Sequence, residues 1–96
     1  MEKHITNQAE GQKNNLIANL VNSRSYAATH TAISQLNEVG SWSEEQLKVL
    51  YEAACNNGQV CSIIDDSDVR LFYAGLLKNY EFRDDNAKCV EKLLNS

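Results

Sequence analysis

Asp65-Asp66-Ser67-Asp68-Val69-Arg70-Leu71-Phe72-Tyr73-Ala74-Gly75-Leu76-Leu77-Lys78-Asn79-Tyr80 decides the fold. Val69, Phe72, Tyr73, Leu76, Leu77 and Tyr80 recur at i, i+3, i+4, i+7, i+8 and i+11, the period of one buried helix face. Asp65, Asp66 and Asp68 stand where the partial positive charge of a helix N-terminus stabilises carboxylates, and Asp65 or Asp66 can cap the free amides. The stretch predicts a helix that reaches Lys78 or Tyr80.

On its N-terminal side, Ser43-Glu44-Glu45-Gln46 has the spacing of a capping box: Ser43 accepts from the amide of residue 46, and Gln46 reaches back to the Ser43 amide. Trp42 before the cap and Leu47 after it fit a hydrophobic staple. Leu47, Leu50, Tyr51 and Ala54 then form a buried stripe of about four turns, with Asn57-Gly58 as a left-handed stop. Between these two helices, Val60, Cys61, Ile63 and Ile64 suit a brief strand or a helical turn, and the helical neighbours favour the turn.

Further out, residues 1–12 read as a loose polar leader or a short first turn. A helix capped by Asn14 or Asn15 follows, carrying Leu16, Ile17, Leu20 and Val21 and ending at Asn22-Ser23. A second runs from Tyr26 to Glu38 with Tyr26, Thr29 or His30, Ile33 and Leu36 inward, and Gly40 stops it. Asp84 or Asp85 caps the last helix, with Ala87, Val90, Leu93 and Leu94 on its apolar side. No proline interrupts the chain, so residues 1–96 are expected to form one all-α domain, a compact bundle of five or six short helices.

Apolar residues make up 43% of the 96 and charged residues 23%, values that favour a folded core over disorder. The net charge of −4 is unevenly placed. Residues 38–85 hold ten acids against four bases, a net of −6, which leaves the flanks at +2. Such a surface repels phosphate backbones and disfavours direct nucleic-acid binding, while a cationic partner would be attracted. Cys55, Cys61 and Cys89 cannot all pair within one chain, which suits a reducing compartment. The N-terminus has no apolar signal run and no window approaches a membrane span, so the cytoplasm is the expected location.

Neither a metal nor a cofactor is expected from spacing. Cys55 and Cys61 are six residues apart, too far for a zinc knuckle, and His30 has no histidine at i+4. A calcium loop starting at Asp66 would need oxygen ligands and glycine where Arg70 and Leu71 stand, and glutamate where Leu77 stands. Cys55 or Cys61 with His30 and Asp65 would supply the residue types of a nucleophilic site, but no spacing singles them out, and the expectation is a protein without catalytic residues.

Through Trp42-Ser43-Glu44-Glu45 and Asp65-Asp66-Ser67-Asp68-Val69-Arg70, the chain resembles the small acidic helical immunity proteins of bacterial contact-dependent inhibition systems. It lacks the adjacent-tyrosine recognition motif of the immunity proteins of nuclease bacteriocins. The resemblance implies a non-enzymatic protein that binds a cationic toxin domain, expected to be a nuclease, and blocks its groove or active site in the producing cell. The carboxylates at the helix starts, Glu44, Glu45, Asp65, Asp66, Asp68, Asp84 and Asp85, are the candidate partner-binding residues, with most weight on Asp65, Asp66 and Asp68. The alternative is a helical adaptor or regulatory subunit that docks a partner through an apolar groove.

Overall fold

Ser43 accepts a hydrogen bond from the Gln46 amide at 3.2 Å, and its own amide donates to Gln46 Oε1 at 2.9 Å, so the capping box forms as expected. It starts the third of six helices in the computed structural model, which describes residues 2–39 and 41–95 and the side chains from residue 11 onward. The helices are α1 (Glu2–Val21), α2 (Tyr26–Leu36), α3 (Glu44–Asn56), α4 (Gly58–Ser62), α5 (Ser67–Asn79) and α6 (Asp85–Leu94). Among the described residues there is no strand, and the architecture is the predicted all-α bundle.

Helix α3 packs against α1, α4 and α6, while α2 packs against α1, α4 and α5. Leu20, Ile33, Leu36, Leu50, Tyr51, Val60, Val69, Tyr73 and Val90 are fully buried where these elements meet. Val69, Phe72, Tyr73 and Leu76 of the deciding stretch are buried, and Leu77 and Tyr80 pack against the cluster from its edge. Tyr73 turns its hydroxyl onto the Leu50 carbonyl at 2.8 Å, which satisfies the one polar atom that the ring carries inside. Asp66 caps α5 and Asp84 caps α6, each one of the two residues predicted.

Three local expectations are corrected. The first concerns α1, whose backbone is helical from Glu2, so it does not begin at Asn14 or Asn15. The extension is chemically reasonable, because Glu, Lys, Gln and Ala are good helix formers and the single Gly11 costs only about 1 kcal/mol. The second is Asn57-Gly58. No described residue has a positive φ, and Asn57 lies at φ −93° and ψ 111°. It is the C-cap of α3 and the N-cap of α4 together: its amide donates to the Ala53 carbonyl, and its Oδ1 accepts from the amides of Gln59 (2.9 Å) and Val60 (3.3 Å). Its Nδ2 also donates to the Val21 carbonyl at the end of α1, at 2.7 Å.

The third correction is Tyr26, expected inward and found 53% exposed. The inner face of α2 is Thr29, Ala32, Ile33 and Leu36. Thr29 Oγ1 donates to Ser23 Oγ at 2.7 Å, and Ser23 Oγ donates on to the Leu20 carbonyl, so small hydroxyl side chains close the space that an inward ring would need. Helix α2 ends at Leu36 with Asn37 as its cap; Gly40, expected to stop it, lies outside the described residues. No helix among the described residues is long and apolar enough to cross a membrane.

Candidate functional site

Tyr26 and His30 are one helical turn apart on α2 and their rings stack, with centroids 5.8 Å apart and planes 19° from parallel. Both reach the start of α5. The Tyr26 hydroxyl donates to Asp66 Oδ2, and His30 Nε2 lies 2.9 Å from Asp68 Oδ2 and 3.6 Å from Asp66 Oδ1. Asp66 Oδ1 also accepts the Asp68 amide at 3.1 Å, the capping bond of α5. Each of the two carboxylates therefore meets a ring from another helix, Asp66 both Tyr26 and His30, and Asp68 His30.

The Tyr26 hydroxyl, ahead of the Asp68 amide and the nearby His30, holds the Asp66 carboxyl below its usual range, against the burial that pushes it up. Reciprocally, the hydrogen bond to Asp66, then burial and the charges of Asp66 and Asp68, push the Tyr26 hydroxyl above 10. The depressed Asp66 value contributes stability that is present above the unfolded carboxylate pKa and is lost as pH falls through the folded value. The raised Tyr26 value contributes stability that is present below the unfolded tyrosine pKa and is lost as pH rises through the folded value. Hence the stability difference between the wild type and Tyr26→Phe is expected to be flat from about pH 4 to about pH 10 and to shrink on both sides. Urea unfolding across that range checks it, and a difference that persists undiminished into strong acid would reject the Tyr26–Asp66 bond.

Of the remaining predicted partner-binding residues, Asp65 is exposed and 3.7 Å from Arg70, a solvent-screened pair. Glu44 and Glu45 are exposed in the first turn of α3. The chain enters α3 beside Tyr80, whose hydroxyl accepts the Trp42 amide at 2.9 Å. That places the start of α3 near the far end of α5, about 20 Å along its axis from the Asp66 cap. Asp84 is occupied in capping α6 through the Ala87 amide at 2.8 Å, and Asp85 is exposed beside it. The seven acids thus open three separate helices, and Asp66 and Asp68 are brought together with the Tyr26 and His30 rings of α2.

The residue types that a nucleophilic site would use are placed as follows. His30 engages Asp66 and Asp68, not Asp65, whereas Cys55 Sγ donates to the Asn86 carbonyl on α6 at 3.4 Å. Burial, with the Cys89 and Cys61 thiols nearby, pushes the Cys55 thiol up to about 12, which keeps it protonated at neutral pH and poorly nucleophilic. Comparison of the chain with protein-family models, curated proteins and solved structures finds no match.

Sequence reasoning put most weight on the acids of α5 but missed Tyr26 and His30 as their partners. The residues are separated by 38 and 40 positions along the chain, and no local pattern couples them. The one available signal was that Tyr26 and His30 stand at i and i+4, a spacing that brings two rings together on a helix surface.

Proposed function

We propose that this is a non-enzymatic immunity-type protein, which binds the cationic domain of a toxin through the carboxylates at its helix starts and blocks the groove of a nuclease. The observation that carries this reading is the array at the start of α5, where Tyr26 and His30 hold the Asp66 and Asp68 carboxylates with exposed Asp65 beside them. A nuclease groove must be positive to hold phosphates, so carboxylates presented in fixed orientation can take the place of phosphates and speed encounter through long-range attraction. Preorganisation adds to this, because the side chains are ordered before the partner arrives. The net of −6 over residues 38–85 supplies the wider field.

A second reading, a helical adaptor, draws on two adjoining clefts between α1 and α3 that share Val21 and Val49, both exposed. The experiment separates the two. The cationic nuclease domain of a candidate toxin is titrated with the protein, and nuclease activity and association rate are followed from about 0.05 to 0.5 M salt, over which the Debye length falls from about 14 to 4 Å. Stoichiometric inhibition is expected, with association slowing steeply as salt rises, and with slower association or faster dissociation for the double variant Asp66→Asn/Asp68→Asn. A complex that ignores both salt and the double substitution, and weakens with Val49→Asp, would replace the acidic-face reading with the apolar cleft.

A further inference from the structure

We infer that His30, Asp66 and Asp68 form a binding site for a first-row divalent cation of the zinc, cobalt and nickel class. One ligand atom from each residue lies within 4.8 Å of the other two. Two ligands bonded to such an ion at about 2.1 Å, and subtending 90° to 110°, lie about 3.0 to 3.4 Å apart. The spacings from His30 Nε2, 2.9 Å to Asp68 and 3.6 Å to Asp66, bracket that range and call for only small side-chain adjustments.

The donor set is more than a collection of acids at a helix start. The imidazole comes from a different helix, and its ring plane is fixed by the stack with Tyr26, which aims one nitrogen at both carboxylates. Tyr26 also donates to the second oxygen of Asp66, leaving Oδ1 towards His30; outer hydrogen bonds of this kind orient carboxylate ligands at metal centres. Imidazole with carboxylates suits zinc, cobalt and nickel, and nitrogen ligation disfavours calcium and magnesium, which take oxygen ligands. Two carboxylate charges outweigh the roughly half charge of the α5 N-terminus, which alone would repel a cation. Asp68 is exposed, so the remaining coordination positions open to water. On binding, the contact between His30 Nε2 and Asp68 gives way to two metal bonds, and any proton on Nε2 leaves for Nδ1 or solvent.

The test is a Co²⁺ titration of the reduced full chain, followed by calorimetry, visible absorption and the proton resonances of the His30 ring. One equivalent is expected to bind with broadening or shifting of the His30 signals, and with a ligand-field spectrum free of the near-ultraviolet thiolate charge transfer that Cys55, Cys61 or Cys89 would produce. His30→Ala and Asp68→Asn should each weaken binding by about tenfold or more, whereas Asp65→Asn, outside the donor set, should leave it within about twofold. The wild-type resonances are informative even if a variant folds poorly. Absence of binding, thiolate charge transfer without a response from His30, or binding that survives His30→Ala would each overturn the site. The readout needs no partner protein, so its outcome is independent of the toxin-binding proposal.

Discussion

Phe72→Ala is expected to lower the unfolding free energy by about 3 to 5 kcal/mol, a large share of the roughly 5 to 15 kcal/mol available to a domain of this size. Phe72 is only 5% exposed and meets Tyr73 edge-on, with ring centroids 5.2 Å apart and planes at 76°. Truncation removes the buried ring and leaves a cavity that helices fixed by other contacts cannot fully close. Its neighbour provides the contrast: Leu71 is 70% exposed, and Leu71→Ala should stay within about 0.5 kcal/mol. Urea unfolding of both variants checks the pair through the midpoint, the slope being unchanged if the denatured state is unaltered. A loss below about 1 kcal/mol for Phe72→Ala would mean that the stripe is a surface feature.

Trp42→Ala should cost a similar amount, about 3 to 5 kcal/mol, and more than removal of the cap that follows it. Trp42 is 9% exposed and belongs to the same core cluster as Leu47, the residue with which the staple pattern pairs it. Its backbone amide, which donates to the Tyr80 hydroxyl, survives the substitution, so the loss reports side-chain packing. Ser43→Ala removes the acceptor for the Gln46 amide and should cost about 0.5 to 2 kcal/mol. Because Trp42 is the only tryptophan, the series must be followed by far-ultraviolet circular dichroism, not by intrinsic tryptophan fluorescence. If Ser43→Ala proved the more damaging, the start of α3 would depend on its cap and not on the indole.

Local interactions made much of this fold legible. The four buried residues of α5 follow a 3.6-residue period, and the Ser43–Gln46 box closes within four residues, so both patterns are written in short windows of sequence. Tyr26 shows where that logic ends. Periodicity placed it on the line of Thr29 and Ile33, but at the first position of α2 the core has already closed around Ser23 and Thr29, and the ring turns out over His30. Its partner Asp66 was legible as a cap and illegible as the acceptor of a tyrosine 40 residues away, because that contact depends on how α2 lies against α5. Asn57-Gly58 misled for a related reason. The pair favours a left-handed stop in isolation, but the tertiary position of the Val21 carbonyl gives the Asn57 side chain, through Nδ2, a better use.

Asn57 therefore couples motions that a short helix would otherwise make alone. Five residues cannot sustain a helix in water, so α4 persists through the side chain that caps it and through Val60, which is buried in the core. That same side chain holds the last turn of α1. Fraying at either place releases the other's restraint, so the end of α1 and the start of α4 open to solvent as one unit. Their amides should then exchange hydrogen at a common rate even though they lie 36 residues apart.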